Sequence, residues 1–266
     1  MKLGVAGMRP GREEHIRIAK KLGYSFIETG LANLESSFTE EQIGEFAAFL
    51  SEVGMPCIST NGMFPGDIRL IGPGADKSLI ADYLCRAFEK TAPLNTEVCV
   101  LGSGAARRIP EGYDSDRAYE EFAVLLEQTV LPVAGKYGKT IAIEPLNRDE
   151  CNIVNTVAES MSVVRRVNNP RLMTLIDYYH VRKNGEDVKS FAEYRGFIRH
   201  VHVSSYNLNR RYPRADDGED YRGFFDVLRK ADYTYGNISI EAGFGKTPEE
   251  FEVNAAAAYE CLSCLL

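Results

Sequence analysis

The chain carries 266 residues, 44% of them hydrophobic and 26% charged, with a formal net charge of −7. That length and composition suit a soluble α/β barrel with a large core. The acidic balance argues against attraction to nucleic acid or an anionic membrane surface, and no apolar run approaches the roughly 18 residues of a membrane span.

The start, MKLGVAG, reads as a first strand, Lys2–Ala6, without an apolar signal core behind a basic segment. A helix over Arg12–Leu22 follows and stops at Gly23. Strand two covers Ser25–Thr29, with Glu28 and Asn33 at or after its end. Thr39 and Gln42 form a capping-box pattern at the head of a helix running to Val53. Strand three, Pro56–Thr60, leads into a long Gly/Pro-rich loop at 61–74, a length often reserved for function. A helix at Lys77–Thr91 precedes strand four, Glu97–Leu101, and the turn GSGAARRIPEG at 102–112, whose glycines let backbone approach a ligand. One helix is expected over Ser115–Tyr137. Strand five, Thr140–Glu144, is followed by a helix over Thr156–Val167 capped by Asn155. Strand six is Leu172–Asp177, with a helix at Asp187–Tyr194. Strand seven is Ile198–Val203, with a helix at Tyr221–Ala231. Strand eight is Asn237–Glu241, and the last helix covers Pro248–Leu265, apolar enough to hint at an interface.

Short apolar runs alternating with helical periodicity mean βα units on a parallel sheet. Eight such units fill the chain without a linker or repeat, so residues 1–266 are expected to form a single-domain (β/α)8 TIM barrel. An open doubly wound sheet is the alternative, but its glycine fingerprint is missing from the first βα turn, GMRPGR. Cys57, Cys85, Cys99, Cys151, Cys261 and Cys264 include only one CxxC, at 261–264, too few ligands for structural zinc. Reduced thiols and a cytoplasmic location are expected.

In a barrel, strand ends converge on one face. Here strand five ends in Glu144, strand six in Asp177, strand seven carries His202, and strand eight ends in Glu241. Any one of these alone is most often a cap or a surface charge. Four behind successive apolar runs point to one divalent ion, because buried carboxylates are costly unless paired or metal-bound. Three carboxylates and one imidazole suit Mn²⁺ or Mg²⁺, with Zn²⁺ or Co²⁺ also possible. His200 points the same way as His202 but one layer deeper. It reads as a hydrogen-bonded core histidine, the alternative being a group behind the ligands. His180 either contacts substrate or caps the next segment, with substrate contact preferred. His15 reads as a surface residue and Arg148 as a partner for nearby carboxylates. Arg69, Arg107 and Arg108 read as solvated loop charges, the alternative being a phosphate grip.

With these residues placed, the chain resembles the xylose-isomerase-like sugar isomerase and epimerase superfamily, and within it the ketose 3-epimerase branch. The motifs that carry the resemblance are EPLNRDE at 144–150 with Asn155 and Thr156 after it, LIDYYH at 175–180, HVH at 200–202, NRRYP at 209–213 and IEA at 240–242. The resemblance implies that Glu144, Asp177, His202 and Glu241 bind one metal, and that Glu150, His180 and Arg210 contact a sugar or sugar phosphate. It implies proton transfer through an enediolate, with Glu144 and Glu241 as ligands and acid/base groups together, and ketose 3-epimerisation as the reaction. The segment between His202 and the NRRYP motif is longer than the family pattern. With no tryptophan in the chain, an aromatic wall falls to Phe or Tyr, for instance Phe64. Aldose–ketose isomerisation, hydroxypyruvate isomerisation and inosose dehydration are alternatives on the same site. An endonuclease IV-like nuclease needs more histidines than the four present, and a non-catalytic sugar-binding barrel would not need the full ligand set. The expected partner is a small-molecule sugar, with no nucleic acid or membrane, and a homodimer or homotetramer is possible.

Overall fold

Eight short strands pair in parallel, each with its neighbour in sequence, and the eighth closes on the first. They are β1 (Lys2–Val5), β2 (Phe26–Gly30), β3 (Cys57–Asn61), β4 (Val98–Leu101), β5 (Thr140–Ile143), β6 (Leu172–Asp177), β7 (Ile198–Val203) and β8 (Asn237–Ile240). This is a closed (β/α)8 TIM barrel. The computed structural model describes residues 1–245 and 247–266. Among the described residues, no helix is long and apolar enough to cross a membrane.

Helices cover the outside, so the strands are buried on both faces and read as continuous apolar runs. The helices are α1 (Glu13–Leu22), α2 (Leu31–Ser37), α3 (Glu40–Val53), α4 (Lys77–Lys90), α5 (Gly104–Arg107), α6 (Ser115–Leu125), α7 (Leu131–Lys136), α8 (Val157–Val167), α9 (Tyr178–Asn184), α10 (Tyr221–Lys230) and α11 (Pro248–Ser263). The Thr39–Gln42 capping box opens α3, and left-handed Gly23 and Gly54 stop α1 and α3.

Val98, Val100, Ala142 and Leu175 form a small apolar cluster, separate from the two larger clusters that hold the helices' buried faces. Strand side chains alternate with period two. The next positions on the same faces are Gly102, Glu144 and Asp177. On β5 and β6 the barrel lining thus changes from apolar to ionisable across one layer. Phe26 fills part of the lower layer because Gly4 opposite has no side chain; a Cβ there would stand 2.1 Å from the ring.

Several segments differ from the sequence reading, each for a physical reason. The stretch 115–137 is not one helix: a π turn at Leu126–Val130 separates α6 from α7. Pro132 has no N–H to give, and a widened turn upstream accommodates the missing bond. The cap of α8 is Thr156, whose hydroxyl accepts the Glu159 N–H at 3.1 Å. Asn155 instead donates to the Leu146 and Cys151 carbonyls, bracing the loop after β5. The expected helix at 187–194 is a 3₁₀ segment, Val188–Glu193, while α9 begins directly on β6 with Asp177 as its cap. Its aromatic first turn, Tyr178–Tyr179, gives little helical signal in sequence. Short α2 and α5 lie where loops were expected.

His15 is half-buried against Phe251, with ring centroids 5.1 Å apart, rather than on the surface. The apolar stripe of α11 (Phe251, Ala255, Ala258, Leu262) is also buried, and the Tyr24 hydroxyl donates to the Ala255 carbonyl at 2.8 Å. That stripe is used within the barrel.

Glu186, in the turn after α9, accepts the Val157 N–H of α8 at 2.8 Å through Oε2, while Oε1 has no hydrogen-bond partner among the described residues. Burial pushes its carboxyl up from 4.5 to about 7. The native chain therefore keeps this proton over a range where the unfolded chain loses it. Stability contributed by the neutral group is complete below about 4.5 and is lost as pH rises towards about 7. Thermal midpoints should decline across that window in the wild type and decline less in Glu186→Gln; parallel curves would rule this out.

Candidate metal centre

Each side chain of the centre arrives on its own strand end. Glu144 is the residue after β5, and Pro145 stops the strand there by removing a ladder donor. Its peptide is clamped on both sides: the N–H donates to the Leu101 carbonyl at 3.2 Å, and its carbonyl accepts from Arg107 Nη2 at 2.6 Å. Asp177 ends β6 and caps α9, its Oδ1 accepting the Tyr179 N–H at 2.7 Å. His202 lies in β7, paired in register with Asp177. Glu241 follows β8, with its N–H on the Val203 carbonyl. The structure brings these four together: one ligand atom from each lies within 4.8 Å of all the others. His202 Nδ1 stands 3.1 Å from Glu144 Oε1 and 3.5 Å from Glu241 Oε2.

Burial sets the electrostatics of this cluster. It drives the Glu144 carboxyl up, and the neighbouring Glu241 charge adds to the rise. It raises Asp177 as well, against the opposing charge of Arg210. Burial also pushes Glu241 up, but the charges of His202 and Arg210 outweigh it and leave that carboxyl lowered. His202 is pushed down by burial and more strongly up by Glu28 and Glu241. Three acidic groups therefore crowd one point and need positive charge to balance them. Among the described residues Asp177 Oδ2 is buried without a hydrogen-bond partner, with His180 Nε2 3.6 Å away and the Arg210 guanidinium nitrogen Nη2 at 3.9 Å. A buried orphan oxygen beside two more carboxylates and an imidazole nitrogen fits a hard-to-borderline divalent cation.

The three residues expected to contact substrate surround this point. His180 Nδ1 accepts the Asn147 backbone N–H at 3.1 Å, so the ring carries its proton on Nε2. That Nε2 is buried and among the described residues has no hydrogen-bond partner, which makes it a ready donor to a substrate oxygen. Arg210 reaches Glu241 Oε2 at 2.6 Å and Glu150 Oε1 at 3.2 Å, with its guanidinium 5.3 Å from the Tyr179 ring centre. It stands on a tight turn closed by a Ser205–Arg211 bridge, with Asn209 and Arg210 both at positive φ. The lengthened segment after His202 is spent in that turn, which still delivers the guanidinium. Glu150 is half-exposed and accepts from Asn147 Nδ2 at 2.7 Å.

Sequence reasoning missed several members. Glu28 on β2 is fully buried and stands 2.9 Å from His202 Nε2. Its signal was present in FIETG, another largely apolar strand that carries a carboxylate. Asn61, ending β3, donates to Glu241 Oε1 at 2.7 Å. Gly102 faces Glu144, where a Cβ would stand 2.2 Å from Oε2, so this glycine makes room for the carboxylate. Arg107 is not a solvated charge: it is fully buried, donating to the carbonyls of Leu101, Glu144 and Val154. Arg69 and Arg108 each brace a backbone carbonyl, that of Ala105 in α5 and that of Glu150 respectively. His200 is a buried histidine 2.8 Å from Glu28 Oε2. Phe64 packs on Tyr83 in the outer core, and Arg148 is exposed, its charge acting on Glu186.

Residues 16–260, nearly the whole barrel, match the xylose isomerase-like TIM barrel family. The chain belongs to this family. It is 22% identical over 232 residues to the 3-dehydro-D-guloside 4-epimerase of Escherichia coli (strain K12), covering 83% of each chain. It is 24% identical over 239 residues to the L-ribulose 3-epimerase of Methylomonas sp. (strain DH-1), covering 87% of this chain and 78% of that one. The crystal structure of a D-psicose 3-epimerase in the presence of D-fructose superposes with a TM-score of 0.85 over 100% of this chain and 99% of the other, at 17% identity. At that identity the superposition speaks to the fold, and what the site does rests on its own residues.

Proposed function

We propose that this chain, as one catalytic domain over residues 1–266, is a divalent-metal-dependent carbohydrate epimerase whose reaction is ketose 3-epimerisation. The observation that carries this reading is the convergence of Glu144, Asp177, His202 and Glu241 on one point, with Glu144 and Glu241 arriving from strands separated by β6 and β7. The relatives named above are sugar epimerases, which supports the isomerase class.

A cation held by these four residues, Mn²⁺ or Mg²⁺ in view of the three carboxylates, would supply the Lewis acidity that makes a proton beside a sugar carbonyl removable. The chain's own residues do the rest. One of the two glutamates removes the carbon-bound proton and the C–H electron pair passes towards the carbonyl. The other returns a proton to the same carbon from the opposite face. His180 Nε2–H and Arg210 hold substrate oxygens, and Glu150 holds Arg210 and accepts a hydroxyl. Asn61 and Arg210 fix the Glu241 carboxylate, while Arg107 and the Gly102 gap fix Glu144.

The match to a 4-epimerase acting on a 3-dehydro-guloside favours a second reading, proton transfer beside the keto group of a keto-glycoside at the same site. One experiment separates the two. Chain loaded with Mn²⁺ is incubated in deuterated water with free ketoses, their phosphates and keto-glycosides, and the product is read by NMR. Deuterium should appear at one carbon, vanish after chelation and return on reloading. No exchange into any sugar by the loaded chain would overturn the proton-transfer reading.

A further inference from the structure

Beneath the four-residue cluster lies a second buried node built on Glu28. Its Oε2 receives the Ser59 hydroxyl at 2.5 Å, and it also lies 2.8 Å from His200 Nε2 and 3.3 Å from Ser239 Oγ. Its Oε1 stands 2.9 Å from His202 Nε2. That contact is off the axis of a good hydrogen bond, yet among the described residues neither atom has another hydrogen-bond partner. Glu28, His200, His202, Ser59 and Ser239 are all fully buried. A Glu–His–His trio can also hold a metal, but Oε2 here is surrounded by hydroxyl and imidazole groups that can donate. Proton donors turn positive ends towards the place a cation would need to occupy. The node is a hydrogen-bonded support.

The two nitrogens of His202 therefore face different carboxylates. Nδ1 faces Glu144 and Glu241, and Nε2 faces Glu28. A neutral imidazole carries one proton and binds a cation only through the bare nitrogen. A carboxylate on Nε2 keeps the proton there and leaves the Nδ1 lone pair aimed at the cluster. His200, whose ring stands nearly perpendicular to His202 with centroids 5.2 Å apart, anchors the other oxygen of the same carboxylate.

We infer that Glu28, which the proposed reaction does not use, is a positioning residue: it sets the tautomer and ring orientation of His202, and through them the tightness with which the centre holds its cation. The inference rests on the metal-centre reading above. Mn²⁺ alone, added to chelator-stripped protein and followed by the EPR signal of the free ion, tests it in the wild type and in Glu28→Gln. The expected result is a single site in both, with affinity lower by about 10- to 100-fold in the variant and unchanged far-UV circular dichroism. In parallel, ¹⁵N-imidazole spectra of the Mg²⁺-loaded wild type should show the His202 proton on Nε2. Equal Mn²⁺ affinity in the two proteins, or a His202 proton on Nδ1, would overturn the role of Glu28 and leave the metal centre standing. A wild type that binds no Mn²⁺ would overturn the centre and the inference together. The spectroscopic arm needs no variant, so a Glu28→Gln chain that fails to fold does not remove the test.

Discussion

Glu241→Gln should lower kcat by about 10²- to 10⁴-fold, the range a positioned general acid or base contributes, while the loaded chain keeps its metal. The amide oxygen of Gln can still act as a ligand, but the amide cannot take a proton from carbon. Its neighbours also show why the loss should appear in turnover rather than in folding. Asn61 and Arg210 hold the two oxygens of Glu241 from β3 and from the turn after β7. Neither contact is part of the strand ladder. Three measurements on the same sample decide the matter: kcat, the rate of deuterium incorporation, and metal content. Full exchange by a metal-replete Glu241→Gln chain would remove Glu241 from proton transfer and with it the two-glutamate scheme.

Gly102→Ala should be nearly as damaging without touching any ionisable group. The added Cβ would fall 2.2 Å from Glu144 Oε2, and the atom forced to move is the far end of a side chain. The backbone at Gly102 is not in the left-handed region, so alanine itself costs little there. The fold should therefore survive, with a thermal midpoint close to that of the wild type. The carboxylate, however, would be displaced by an ångström or more, and misplacement on that scale costs on the order of 10²-fold in rate. Activity, Mn²⁺ affinity and the thermal midpoint, measured together, distinguish this from unfolding. An alanine variant with wild-type turnover would show that the glycine serves only the turn.

These two variants mark the boundary between what was local and what was not. Glu144, Asp177, His202 and Glu241 were legible because each follows or lies in an apolar strand, and alternation along a strand fixes the direction of its side chains. The eight βα units were legible for the same reason, since periodicity is written within short windows. Arg107 was not legible, because an arginine in a Gly-rich loop is ordinarily solvated. Its burial follows from three carbonyls, at Leu101, Glu144 and Val154, that only the folded loops bring within reach. The break in the 115–137 helix and the start of α9 on Asp177 were hidden in a similar way. Helical propensity does not report where a proline's missing bond will be absorbed, or that a strand-end aspartate will also serve as a cap.

Taken alone, the sequence determined the eightfold alternation, the three carboxylates and one imidazole at four strand ends and their common direction. Only the tertiary structure decided which of those directions meet. Glu28 and His200 are 172 residues apart and share a hydrogen bond because the sheet closes on itself. Side-chain direction is a property of each strand's own backbone. Convergence is a property of barrel closure and stagger, which pack Val100, Ala142 and Leu175 beneath one side of the site and bring the carboxylates above them within reach of one another, His202 and Arg210.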